Sequence, residues 1–250
     1  MTVELLSLTL GRDPFSMVSH LLGALLSLGA TVLLVRRARA QGLKGRGVAL
    51  YGLMMTLTFA ASALFHYVDP ASPRLELYKR IDHAAIFLMI AGTGTAIYAS
   101  LRTSWANRLI AILWGLTIIG IVVKLLWWDM ALWMTALVYL TLGWVGCMGL
   151  IAIARAVGWR HLWLFFAGGI AFSVGAVVFA TGWPVLWSGV LTAHDVFHLL
   201  VLLGAALHYG FIYEYCTDPS AFRVMTPPEI DLDRLRVPLF HLFVNRVDGT

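Results

Sequence analysis

The chain has 250 residues, of which 60% are hydrophobic and only 12% are charged, and its formal net charge is +5. With a mean hydropathy of +0.83, this composition excludes an ordinary soluble domain and favours a membrane protein. No stretch interleaves aromatic and basic residues as a nucleic-acid groove does. We therefore expect no nucleic-acid partner, and we assign the basic residues of the connections to membrane topology and lipid headgroups.

Windows of about 20 apolar residues predict seven membrane-spanning helices. In chain order, the predicted spans cover residues 15–35, 48–67, 81–101, 106–126, 131–154, 161–180 and 191–215. Short linkers join them, so we predict an all-α, polytopic bundle of seven helices that forms one membrane domain over residues 15–216. An N-terminal segment, residues 1–14, precedes it. Prolines and mixed charge predict a C-terminal tail over residues 217–250.

Polar residues that usually avoid a bilayer gather at one level of the predicted bundle. Because spans alternate in direction, spans one, three and seven begin on the side where span two ends, and we call this side the first face. His66 ends span two, Asp82 begins span three, and span seven begins with His194 and His198. The last two stand at i and i+4, so their side chains leave one helix face. Ser62 lies one turn before His66 on the same stripe.

These residues favour a metal site over histidines that only pack. Ionisable groups in a spanning helix are costly and are usually paired or liganded inside the bundle. Three neutral imidazoles suit zinc and leave a fourth position open, as in catalytic sites, and iron or nickel also accepts such ligands. His20 lies at the same level and remains a further candidate. His208 follows His198 by ten residues, about 15 Å along a helix, and is too far away.

Several polar residues near the histidines have more than one interpretation. Asp82 is a metal ligand, an acceptor that orients an imidazole or a water, or a charge that caps span three. Ser62 either bonds the carbonyl four residues earlier or stands beside the metal as a donor. Asp195 follows His194 by about 100° around the helix, so we expect it to point away from the metal unless it binds a neighbouring helix. His83 is displaced from Asp82 in the same way.

Taken together, the motifs resemble those of one known family. They are H-L-L-G at residues 20–23, S-x3-H at 62–66, the D-H pair at 82–83 and H-x3-H at 194–198. In this order, and at the ends of spans, they are similar to the motifs of the hemolysin III family, the bacterial branch of the progestin and adipoQ receptors. The resemblance covers residues 15–215, and the wider group also includes the alkaline ceramidases.

The resemblance implies a zinc ion held by His66, His194 and His198, with Ser62 and Asp82 as catalytic residues beside it, in a bacterial inner membrane protein. The similarity to ceramidases implies hydrolysis of an amide or ester bond in a membrane lipid. One alternative is a receptor or regulator of membrane lipid state with a structural zinc. A further alternative is a pore-forming cytolysin, but the polar residues cluster at one face and do not line a path across the membrane.

The distribution of basic residues bears on orientation. In short connections, the first face carries Arg12, Arg74, Lys79, Arg80 and Lys124, whereas the opposite face carries nine arginines and lysines. This excess predicts that the opposite face and the C-terminus are cytoplasmic. The resemblance to adiponectin receptors implies the reverse orientation, and we follow the distribution of charge.

Overall fold

The computed structural model describes residues 12–187 and 191–220, and within them the regular structure is helical. Eight α-helices follow one another in these residues: α1 Pro14–Ala40, α2 Arg46–Tyr67, α3 Leu75–Ala99, α4 Ser104–Leu126, α5 Leu132–Val145, α6 Leu150–Val157, α7 Trp163–Thr181 and α8 Ala193–Phe211. A 3-10 turn at Trp159–Leu162 leads into α7, and a π-helical turn at Ile212–Cys216 follows α8. The prediction of an all-α bundle is confirmed. The predicted N-terminal segment and C-terminal tail lie almost wholly outside the described residues.

Within the described part of the chain, six stretches are long and apolar enough to cross a bilayer: α1, α2, α3, α4, α7 with its preceding turn, and α8 with the turn that follows it. Helices α5 and α6 form a seventh candidate, a pair bent by 48°. The sequence pattern predicts one continuous span here, but a side chain of α3 interrupts it. The Tyr98 hydroxyl donates to the Gly146 carbonyl and accepts from the Gly149 amide. Such an insertion into the helical hydrogen-bond ladder explains the bend.

The order of packing brings the ends of four helices together. Helix α1 packs against α2, α2 against α3, and α7 against α8, which returns to α1. Small residues allow close approach, since a Cβ added at Gly52 of α2 would lie 2.1 Å from Thr31 Oγ1 of α1. The starts of α1, α3 and α8 therefore meet the end of α2 at the first face.

Polarity is distributed as expected for a protein surrounded by lipid. Large apolar side chains such as Leu26 and Ile119 are more than half exposed. Buried polar side chains instead concentrate near the first face, and they include Ser16, His20, Ser62, His66, Asp195 and His198. Because lipid tails give such groups no hydrogen-bond partners, they face the bundle interior.

Candidate metal centre

Three histidines from two helices bring one ring nitrogen each to a common point near the first face. His66 lies in the last turn of α2, and His194 and His198 lie in the first turns of α8. The Nε2 atom of His194 is 3.3 Å from Nε2 of His66 and 3.0 Å from Nε2 of His198. The candidate ligand atoms of all three residues lie within 4.8 Å of one another. The structure therefore assembles the three predicted ligands.

The spacing of these nitrogens fits a tetrahedral metal site. At a zinc–nitrogen distance of about 2.0–2.1 Å, two ligand nitrogens of a tetrahedral site are about 3.3 Å apart. The two closest pairs lie at 3.3 and 3.0 Å. Neutral imidazoles present lone pairs when their protons reside on the other nitrogen, and lone pairs that converge this closely repel one another unless a cation lies between them. The three histidines could therefore bind a metal ion.

Asp13, immediately before α1, holds the outer nitrogen of His66. Its Oδ2 lies 2.8 Å from His66 Nδ1 and accepts a hydrogen bond from Arg12 Nε at 2.7 Å. Burial by itself raises the pKa of Asp13, but the hydrogen bonds from His66 and Arg12 outweigh it and lower the pKa to about 2. An ionised carboxylate at this distance favours the proton on Nδ1 and leaves Nε2 free for a metal. Sequence reasoning missed Asp13, because an acid before the first span shows no link to a histidine 53 residues away.

Asp195 points away from the three converging nitrogens, as its position on the helix predicts. Its Oδ2 accepts hydrogen bonds from the Thr192 amide and hydroxyl at 2.9 and 2.8 Å, and Thr192 and Asp195 form a capping box. Its Oδ1 accepts from Ser16 Oγ of α1 at 2.8 Å. Asp195 therefore fixes the first turn of α8, which carries His194, against the neighbouring helix.

Ser62 and Asp82 lie side by side next to the histidines. Ser62 is buried one turn before His66, its hydroxyl lies near the Asp82 carboxyl, and both residues line a cavity between the helices. Helix α3 begins at Leu75, and its first-turn acid is Glu76. The capping interpretation of Asp82 is therefore wrong, because the helix starts two turns earlier than the hydropathy pattern predicts. Asp82 instead presents its carboxyl to the cavity.

His20 and His83, whose roles the sequence leaves open, do not join the group of three ligands. The His20 ring stacks on the His198 ring with centroids 3.9 Å apart, so α1 supports the orientation of His198. The His83 ring packs near Trp128 at 5.3 Å, and the His83 carbonyl accepts from the Tyr139 hydroxyl at 3.1 Å. His83 therefore faces a different side of α3 from Asp82, as predicted.

A cavity of about 170 Å³ starts beside the three histidines and continues between the helices. Its end at the first face is polar and includes His20, Ser62, Asp82 and His198. Deeper in the bundle, its lining is mainly apolar and aromatic, with Ile86, Met89, Phe165, Phe172 and Val201. His208 is a polar side chain at this depth, and its Nε2 lies 3.1 Å from the Phe165 carbonyl oxygen. The candidate metal centre thus borders a mostly apolar space between the helices.

Comparison with known proteins identifies the family. Residues 8–209 match the family model described as Haemolysin-III related, and this range includes all five predicted site residues. The chain is 33% identical over 202 residues to Hemolysin-3 of Bacillus cereus, which covers 79% of this chain and 89% of that protein. It is 28% identical over 211 residues to the Hemolysin-3 homolog of Bacillus subtilis, which covers 83% and 96%, respectively. The chain therefore belongs to the haemolysin III-related family and is an integral membrane protein.

Proposed function

We propose that this protein is a zinc-dependent hydrolase that cleaves an amide or ester bond of a membrane lipid near the first face. One observation carries the proposal: three histidine Nε2 atoms converge at the polar end of a cavity that is otherwise mainly apolar. Pockets of this kind orient a ligand with a few polar groups and bury its apolar part. A lipid with a polar scissile bond and a hydrocarbon chain suits both ends of the cavity.

His66, His194 and His198 would hold the zinc ion. Three protein ligands leave one coordination position open, which is the pattern of catalytic zinc sites. When bound, zinc supplies Lewis acidity, which polarises a carbonyl and lowers the pKa of water. Asp13 supports this role, because its hydrogen bond at Nδ1 orients the His66 ring.

Asp82 is placed to act as a general base. Its carboxylate can accept a proton from the attacking water and return it to the leaving amine or alkoxide. Ser62, whose hydroxyl lies near the Asp82 carboxyl, can donate a hydrogen bond to the scissile carbonyl oxygen as negative charge develops there. Both side chains line the cavity, so a substrate whose chain occupies the apolar part can present its carbonyl to them.

The decisive test is lipid turnover by the purified full-length protein in bilayers. Synthetic ceramide and a matched fatty-acyl ester are supplied before chelation, after chelation and after zinc is returned. We expect turnover that requires zinc and is lost in His198→Ala. His161→Gln is the matched control, because His161 is exposed in the turn before α7 and far from the centre. Undiminished turnover by His198→Ala at full metal depletion would contradict the proposal.

A regulator of membrane lipid state with a structural zinc is the second candidate, and one feature of the packing favours it. The main partners of α2 are α1 and α3, whereas α8 packs mainly against α7 and α1. A metal held by His66 and by the two histidines of α8 would therefore tie together helices that have other main partners. Chelation would then lower the thermal stability, and neither lipid would be hydrolysed under any of the assay conditions.

We also propose that the protein resides in the inner membrane with its C-terminus in the cytoplasm. The excess of arginine and lysine on the opposite face supports this orientation. Labelling of single cysteines introduced at Ser72 and at Gln41, on the two faces, by a membrane-impermeant reagent in intact cells tests it. Labelling at residue 41 but not at residue 72 would reverse the assignment.

A further inference from the structure

Three cationic side chains surround one tryptophan near the first face. Lys79 Nζ, Arg80 Cζ and Lys124 Nζ lie 5.3, 4.9 and 4.8 Å from the centroid of the Trp128 ring. The first two come from the early turns of α3, and Lys124 comes from the last turn of α4. We call Lys79, Arg80, Lys124 and Trp128 the basic cluster. None of its members belongs to the three-histidine group.

Lys124 is a buried cation whose hydrogen-bond partners are neutral. Its side chain belongs to a residue that is only 6% exposed, and Nζ donates to the Trp128 carbonyl at 3.2 Å and to Thr135 Oγ1 at 3.1 Å. Among the described residues, no carboxylate oxygen lies within 4.0 Å of the Lys79 or Lys124 ammonium. Buried charges are costly without a counterion, so binding of an anion would stabilise the cluster.

The neighbouring acidic side chains do not neutralise the basic cluster. Arg80 pairs with Glu76 at 3.3 Å, but the Glu76 side chain is 51% exposed, and exposed pairs of this kind are weak. Asp129 is exposed and acts on Lys124 only at longer range. Three cations against two acids leave one positive charge in excess, and the cations are held close together around the indole. The His83 ring packs against the same tryptophan.

We propose that the basic cluster binds a phosphate group, carried by the headgroup of an anionic phospholipid. Lysine ammonium and the guanidinium fork of arginine are the donors that phosphate prefers. Leu126 and Trp127, beside the cluster, are 83% and 56% exposed, as expected where acyl chains meet headgroups. This position favours a lipid over free phosphate as the source of the anion.

The site is separate from the candidate metal centre although both use the start of α3. Lys79 and His83 stand at i and i+4 and face Trp128, whereas Asp82 lies around the helix and lines the cavity. A phospholipid anchored at the cluster would therefore lie beside the cavity without touching the three histidines. The proposal does not depend on hydrolysis or on bound zinc.

The test is lipid retention by the delipidated full-length protein, measured by native mass spectrometry after addition of phosphatidylglycerol or phosphatidylcholine with the same chains. Inorganic phosphate is tested alone and as a competitor. Lys79→Gln removes a half-buried charge from the cluster, and Lys124→Met removes the buried one. Arg74→Gln is the matched control, because it removes one charge from the same face at an exposed position.

We expect selective retention of phosphatidylglycerol, weakened about fivefold or more in Lys79→Gln and in Lys124→Met and unchanged in Arg74→Gln. Displacement of the lipid by inorganic phosphate would support recognition of the phosphate group itself. Equal retention of the two lipids by the wild type, or the same loss in Arg74→Gln, would overturn the proposal. Binding of inorganic phosphate without a preference for phosphatidylglycerol would overturn the assignment to a lipid. If Lys124→Met does not fold, the comparison of Lys79→Gln with Arg74→Gln alone tests the proposal.

Discussion

The two ends of the cavity both contain histidines, but in different settings. At the deep end, His208 interacts with one backbone carbonyl and packs against Phe165 and Phe172. At the first face, the nitrogens of three histidines converge on one point. A backbone carbonyl satisfies a single imidazole, whereas three converging nitrogens could bind one metal ion. The role of a histidine in a membrane helix is therefore indicated by the group that its ring nitrogen faces. Burial of the side chain alone does not distinguish a packing histidine from a metal ligand.

The largest expected effect separates these two kinds of histidine. His198→Ala removes one of three ligands, so zinc affinity should fall by more than about 100-fold, beyond the effect of losing an outer hydrogen-bond partner. His208→Ala should retain wild-type metal content, because His208 lies outside the ligand group. Elemental analysis of both purified variants measures the difference. Equal loss of metal from the two variants would show that the histidines at the two ends of the cavity do not differ in metal binding.

Asp82→Asn tests whether the end of the cavity at the first face is catalytic. The amide cannot accept the proton of the attacking water, so turnover of a lipid substrate should fall by about 10²–10⁴-fold. Metal content should stay at the wild-type level, because Asp82 lies beside the ligand group and not within it. Measuring lipid turnover and zinc content on the same preparation separates a catalytic role of Asp82 from a role in metal binding. Wild-type turnover would leave Asp82 without a catalytic role.

Asp13→Asn tests whether the hydrogen bond between Asp13 and His66 supports the candidate metal centre. Loss of the carboxylate at His66 Nδ1 should weaken zinc binding by about 10–100-fold, which is typical for the partner of a ligating histidine. Zinc titration against a competing chelator measures this change. Asp69→Asn is a suitable control, since Asp69 is an exposed acid of the turn after α2. Equal affinities in Asp13→Asn and the wild type would show that Asp13 does not orient His66.

The smallest effect is expected from a change in packing at the deep end. A Cβ added at Gly168 would lie 2.3 Å from His208 Cδ2, so Gly168→Ala should force the imidazole to move and destabilise the bundle by about 1–3 kcal/mol. Zinc content should remain unchanged. Thermal unfolding in detergent together with elemental analysis tests both statements. Gly169→Ala is the control, because a Cβ there meets open space.

The sequence alone predicts much of this centre because membrane helices restrict geometry. Alternating spans determine the depth of a residue, and helical periodicity determines the face on which it lies. These two constraints place His66, His194 and His198 at one level and put the last two on one face of their helix. The same periodicity correctly directs Asp195 away from the centre, where it binds Ser16 and caps α8.

Other features depended on contacts between residues far apart in the chain. Asp13 reaches His66, Tyr98 interrupts the fifth span, and Lys79 and Arg80 meet Lys124 around Trp128. Helix α3 also begins at Leu75, two turns before the apolar window. The window starts late because the first turns of the helix carry charged residues. Hydropathy does not detect a helix beyond the apolar segment, so the sequence left the capping interpretation of Asp82 open until the structure excluded it.

By itself, the sequence determined the helical membrane fold, the family motifs and the depth of the histidines, because hydropathy and the 3.6-residue period are local properties of the chain. Only the tertiary structure decided which nitrogens converge, which carboxylate supports them and which cations share one indole. Those relations depend on how helices rotate and approach one another. Packing between distant segments sets that arrangement, and no local pattern encodes it.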